Sequence, residues 1–158
     1  SKNAESYLKT IDSNWDRSVA IHIRRGDYCD ELHRNHHGLL PKSYYIEALS
    51  KIDSENPAIY LFIENVSEIP DWIFDLDFLY KITIIQTIDD AESLHLMSKC
   101  KYIITANSSF SWWAGYIGNK EELSGRVFAP KNYFKTNKVD TSDLHPDWFE
   151  LIDNGWEG

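Results

Sequence analysis

Two short stretches of the sequence hold the side chains best suited to bind an anion. The first is His22-Ile23-Arg24-Arg25-Gly26-Asp27-Tyr28. A guanidinium is planar, permanently charged and forked, so it can grip a diphosphate through two charge-assisted hydrogen bonds at once. The glycine that follows the pair lets the backbone turn sharply or approach a ligand closely. Successive side chains of a strand point to opposite faces, so Arg24 and Arg25 should diverge, one toward a ligand and the other toward Asp27 or the loop. The same residues also describe a surface turn closed by a local Arg–Asp ion pair, and spacing alone does not choose between the two. The second stretch is Asn107-Ser108-Ser109-Phe110-Ser111-Trp112-Trp113. At the start of a helix its first N–H groups lack intrahelical partners and carry partial positive charge, which suits a phosphate. The serine hydroxyls add donors. Simple helix capping explains the serines as well, and core packing accounts for Phe110 and the tryptophan pair.

A parallel sheet is the element that would bring these stretches together. Ser18–Ile23, Ala58–Ile63, Lys81–Gln86, Tyr102–Thr105 and Arg126–Ala129 are short apolar, β-branched runs that read as five strands. Between them lie helical patterns. Residues 1–15 form an amphipathic lead-in with Tyr7, Leu8, Ile11 and Trp15 on one side. Pro41 opens a helix carrying Tyr45, Ala48, Leu49 and Ile52. Ser67–Phe74 is a short helix or turn interrupted by Pro70. Asp89-x-x-Glu92 resembles a capping box ahead of a helix running to Lys99, and Ser109–Ile117 is a helix closed by Gly118. Residues 27–40 read as a polar loop and the last twenty as an acidic, aromatic tail. Apolar strands alternating with helices indicate a three-layer α/β/α, Rossmann-like domain with a mostly parallel sheet, and residues 1–158 read as one domain. In such sheets ligands bind beyond the carboxyl ends of the strands, where both stretches fall.

Composition narrows the partners. The chain has 158 residues and a net charge of −9, which argues against nucleic-acid or acidic-membrane binding, since both need a basic face. Cys29 and Cys100 are too few for a disulfide framework and fit no zinc spacing. No apolar run approaches the roughly 20 residues of a membrane span.

The residues also carry a family resemblance. Ile21 to Tyr28 looks like the first signature of the α-1,2-fucosyltransferases, glycosyltransferase family 11. Leu94-His95-Leu96-Met97-Ser98-Lys99-Cys100-Lys101 followed by Ala106 to Trp113 resembles the second. Ala129-Pro130-Lys131-Asn132-Tyr133-Phe134 and Pro146-Asp147-Trp148 are similar to the family's C-terminal end, so the resemblance covers about residues 18–152. It implies the C-terminal half of a two-domain GT-B enzyme, with the acceptor-side half outside this sequence. The implied reaction is an inverting, metal-independent transfer of L-fucose from GDP-fucose to a hydroxyl, usually O2 of a terminal galactose, with no cofactor.

By resemblance, Arg25 is the first choice for the β-phosphate, with Arg24 supporting it or reaching the other phosphate. Gly26, Asn107, Ser108, Ser109 and Phe110 belong to the donor pocket, and His22 orients the loop from beneath. Asp27 positions the arginines or acts near the acceptor hydroxyl. Asp27, Asp30 and Glu31 are candidates for the general base that inversion requires, and the acceptor-side half could also hold it. The sequence departs from the family in two places. Phe62-Ile63-Glu64-Asn65 stands where relatives carry Ser-Asp-Asp, and Ser93 stands where an acidic residue is usual. The reader of the guanine edge is therefore open among Asp90, Glu92 and Glu64, each of which also fits helix capping or a solvated face. The expected partners are GDP-fucose and an oligosaccharide acceptor. Bacterial relatives serve surface-polysaccharide synthesis from the cytoplasmic side and animal ones are Golgi-anchored; the compact chain fits the bacterial pattern. A transferase with another acceptor, or a nucleotide-binding scaffold without catalysis, also fits the sequence.

Overall fold

A computed structural model describes residues 1–87, 89–118 and 125–158. Its strands are β1 (Ser18–Ile23), β2 (Ala58–Ile63), β3 (Lys81–Ile85), β4 (Tyr102–Ile104), β5 (Arg126–Pro130) and β6 (Phe149–Ile152). They form one six-stranded sheet in the order 3-2-1-4-5-6, with every pairing parallel. Consecutive parallel strands need crossovers: α2 (Glu31–His36) and α3 (Lys42–Ser50) lie between β1 and β2, α4 (Asp71–Asp77) between β2 and β3, α5 (Asp90–Ser98) between β3 and β4 and α6 (Ser109–Gly118) between β4 and β5. By contrast, α1 (Lys2–Ser13) precedes β1, and the β5–β6 connection has no helix among the described residues. The order reverses between β1 and β4, the point at which a doubly wound sheet opens a crevice for ligand.

Both faces of the sheet are buried, which is why β1 and β2 read as unbroken apolar runs. On one face Val19, Ile21, Ile59 and Leu61 pack with Tyr44, Tyr45 and Ala48 of α3 and Ile73 and Leu76 of α4. On the other, Ala20, Tyr60 and Phe62 pack with Ile11 of α1, Leu96 and Met97 of α5 and Ala114 of α6. Two buried tyrosines of α3 brace the switch point from below. Tyr44 Oη donates to the Thr105 carbonyl at 2.6 Å, and Tyr45 Oη donates to the His22 carbonyl at 2.9 Å. Burial holds both phenols protonated by raising their pKa values.

Three expectations are corrected. The segment 27–40 is not all loop: a 3-10 turn covers Gly26–Cys29 and α2 follows. The single large apolar side chain of α2, Leu32, is 79% exposed, so this helix has no buried stripe to betray it. The acidic tail contains a sixth strand, whose Phe149 and Ile152 are buried against the core. Pro70 does not interrupt a helix but stands at the N-cap of α4, where its missing N–H costs nothing.

Candidate functional site

The side-chain alternation of β1 continues past its end and sends the two arginines into different layers. Ala20 and His22 face α5 and α6, and Arg24 follows them. Val19, Ile21 and Ile23 face α3 and α4, and Arg25 follows those. On the Arg24 side lies a cleft of about 300 Å³ at the carboxyl edge, walled by Ser108 just before α6, by Phe110 of α6 and by Asp90 and Ser93 of α5. Its floor is a row of side chains in register across three strands, His22 opposite Phe62 and Phe62 opposite Ile85. Phe62 and Ile85 were not singled out in the sequence as site residues. Their signal was the last apolar position of each strand on the α5–α6 face.

Arg24 is held from several directions. Its Nη2 pairs with the Asp27 carboxylate, its Nη1 lies 3.3 Å from Glu64 Oε2 and donates to the Arg25 carbonyl at 3.1 Å. The guanidinium also sits 4.5 Å above the Tyr28 ring, a cation–π contact that fixes its plane. Arg25 points the other way, and its Nη2 and Nη1 reach both carboxylate oxygens of Glu157, at 2.9 and 3.4 Å. Its charge is already taken by the chain's own tail. Gly26 makes the turn that follows them with φ of +59°, and its N–H donates to Glu68 Oε2 at 2.7 Å. A Cβ at that position would come within 3.1 Å of Arg24 Nη1, so glycine serves both the left-handed backbone and the close approach.

The second stretch divides its labour. The Ser108 carbonyl accepts from Trp112 N, placing Ser108 at the N-cap of α6 and its buried side chain at the cleft wall. Phe110 joins it there, whereas Ser109 is exposed and outside the residues that line the cleft. Asn107 is fully enclosed, and its Nδ2 donates to the His37 and Gly38 carbonyls at 2.9 and 3.1 Å. Ser111 Oγ accepts from Ala106 N at 3.0 Å. Tyr28 Oη donates to the Asn107 carbonyl at 3.2 Å, so the first stretch is bonded directly to the second. Trp112 stacks on Tyr116 and donates its Nε1–H to Leu144; Trp113 is half exposed. Neither indole lines the cleft.

His22 is buried, and burial first and the neighbouring Arg24 charge second push its pKa down to about 3. It is therefore neutral in the physiological range. Its Nδ1 has no hydrogen-bond partner among the described residues, and its ring lies 5.2 Å from Phe110. The acidic candidates separate by position. Asp90 lines the cleft beside Ser93, whose Oγ is hydrogen-bonded to Thr87 Oγ1 at 2.6 Å. Glu92 instead reaches Ser1 Oγ at 2.9 Å, toward the start of α1. Asp89 caps α5 by accepting from Glu92 N. Glu64 is exposed at the cleft mouth, while Asp30 at the N-cap of α2 and Glu31 in its first turn line none of the clefts described here.

A crevice at the switch point, one arginine aimed into it and a helix N-terminus opposite form the expected architecture of a nucleoside-diphosphate site. The family model for glycosyl transferase family 11 matches residues 3–151. This chain belongs to glycosyl transferase family 11. It is similar to an alpha-1,2-colitosyltransferase of Escherichia coli, 31% identical over 147 residues that cover 85% of this chain and 47% of the relative. It is also similar to the O-antigen biosynthesis glycosyltransferase WbnK of Escherichia coli, 32% identical over 134 residues that cover 83% of this chain and 43% of the relative. The family 11 chain thus spans less than half the length of the curated relatives it matches. Among its described residues no helix is long and apolar enough to cross a membrane.

Proposed function

We propose that this chain binds GDP-fucose in the Arg24 cleft and is the donor side of a fucosyltransferase that modifies a galactoside in bacterial surface-polysaccharide synthesis. The observation that carries the reading is the meeting of Arg24, the start of α6 and the enclosed row His22–Phe62–Ile85 at one switch point. A guanidinium and a helix N-terminus both favour the diphosphate. Phe110 and Phe62 offer apolar surface to a base, and Asp90 offers a carboxylate to the N1–H and N2–H donors of guanine. In this reading Arg24 takes the phosphate role that family resemblance suggested for Arg25, because Arg24 lines the cleft at the switch point and Arg25 lies over the other layer.

The transfer itself is an inverting displacement. An acceptor hydroxyl oxygen bonds to the anomeric carbon as the bond from that carbon to the β-phosphate oxygen breaks. The electron pair leaves with GDP, the charge develops beside Arg24, and the hydroxyl proton passes to a base. Asp27 is bound to Arg24 and acts here by holding that guanidinium in place. The transfer is taken as metal-independent, so activity of the full-length enzyme should survive a chelator. One relative is named a colitosyltransferase, which makes GDP-colitose the second donor to compare with GDP-fucose.

Calorimetric titration with GDP, UDP and CDP tests the reading. The expected result is GDP binding at least tenfold tighter than either pyrimidine nucleotide. Equal affinities would discard the guanosine donor, and no binding of any of the three would favour a scaffold module that has lost its ligand.

A further inference from the structure

The Arg24 cleft does not end at Arg24. Arg24 and Glu64 also wall a depression completed by Gly26, Asp27, Asn65 and Glu68. Glu68 in turn walls a larger, open cleft on the α3–α4 side, with Arg25, Lys42, Pro70, Asp71 and Trp72 around it. Arg24 and Glu64 border the first two hollows and Glu68 borders the last two, and the three are taken together here as one trough over the turns that follow β1 and β2. Its chemistry changes along its length. The inner end has the Arg24 charge and the α6 start, the middle is lined by the carboxylates of Asp27, Glu64 and Glu68, and the outer end is mixed.

At the outer end Arg25 and Lys42 face Glu68, Asp71, Asp75 and Glu157. Two cations against four carboxylates give a net negative lining that repels a second phosphate. The same groups suit a neutral polyol, since carboxylates accept from hydroxyls and the Lys42 ammonium donates to them. Trp72 and Pro70 give apolar surface for the C–H face of a sugar ring, and an indole combines such a face with a polar edge. Arg25 also keeps an Nε with no partner among the described residues. The volume, about 680 Å³, falls within the range of about 300–1,000 Å³ usual for small-molecule sites.

We infer that the outer end of the trough, around Glu68, Asp71 and Trp72, binds a neutral hexopyranose, the terminal sugar of the acceptor, with Asn65 on the side of the middle depression. This rests on the donor reading: a sugar carried on a diphosphate at Arg24 would extend into the carboxylate-lined middle, and the acceptor hydroxyl would meet it there from the Trp72 side. Part of the acceptor site thus lies on this chain.

The test is a titration of the ¹⁵N-labelled 158-residue chain with methyl β-galactopyranoside, with and without saturating GDP. The Trp72 indole N–H signal, assigned through Trp72→Phe, and the Asn65 side-chain amide should shift saturably, with GDP present as well. Asp71→Asn should weaken the galactoside at least threefold while changing GDP affinity less than twofold. If GDP binds but both signals stay still up to about 50 mM galactoside, where a site of about 1 mM affinity is saturated, the acceptor subsite is overturned alone. Shifts without GDP binding would keep the saccharide site and discard the donor reading. Binding of neither ligand would overturn both.

Discussion

Arg24 and Arg25 follow one another in the chain, carry the same charge and end the same strand, yet they enter different layers of the molecule. Arg24 lies over the α5–α6 layer with a neutral, buried histidine beneath it and a helix start across from it. Arg25 lies over the α3–α4 layer, and there the tail supplies its counter-ion. Trp156 packs on Gly38, Glu157 N donates to the Leu39 carbonyl at 2.8 Å, and the Glu157 carboxylate meets Arg25. A guanidinium whose partners can exchange for a ligand is a binding group; one bound bidentately within the fold ties the structure together. The difference lies in strand parity and in the partners that the fold supplies, not in residue type.

That contrast can be broken from either side. The largest effect is expected from Gly38→Ala on the tail side. Gly38 has φ of +77° and a Cβ there would collide with the six-membered ring of Trp156, so stability should fall by roughly 2–5 kcal/mol from left-handed strain and overpacking together. Chemical denaturation measures it, and unchanged GDP affinity in the folded protein would keep the two sides separate. Next comes pH. The folded-state pKa of His22, about 3, lies below its ordinary value of 6.5, so the unfolded chain takes up the proton first as pH falls. Its stabilising contribution is intact above about pH 6.5 and is lost toward pH 3, amounting to roughly 3 kcal/mol by pH 4. His22→Phe should flatten that part of the pH–stability curve. A smaller coupling, about 1 kcal/mol, is expected between Arg25 and Glu157 in a double-mutant cycle, because both side chains are partly solvated. The smallest change sharpens the ligand side. Asp90→Asn should reduce the preference for GDP over UDP by about fivefold, the scale of one ordinary hydrogen bond of about 1 kcal/mol.

Much of this was legible in the sequence. The runs Ser18–Ile23 and Ala58–Ile63 announced buried parallel strands, and the two stretches rich in arginine and serine were correctly expected at the carboxyl edge. The divergence of the two arginines was legible as well, from alternation alone. Which of them faced α6 was not, because that depends on which layer each crossover helix occupies. β6 was hidden because its four residues sit at a sheet edge within an acidic segment. The Glu157 pairing spans 132 positions and the Tyr28–Asn107 bond spans 79; no local pattern records contacts of that range. Asp90 and Glu92 illustrate the same limit within one helix turn. Both are acidic first-turn residues of α5, and only the packed structure separates the one at the cleft from the one at α1.

The most direct measurement compares GDP affinity in Arg24→Ala and Arg25→Ala, with guanosine as the phosphate-free control. Arg24→Ala should weaken GDP about 10- to 100-fold, the worth of one or two charge-assisted hydrogen bonds, and leave guanosine within about twofold. Arg25→Ala should lower stability while GDP affinity in the folded protein stays within about threefold. The opposite pattern, with Arg25→Ala abolishing GDP binding and Arg24→Ala sparing it, would contradict the assignment of the diphosphate to the Arg24 cleft.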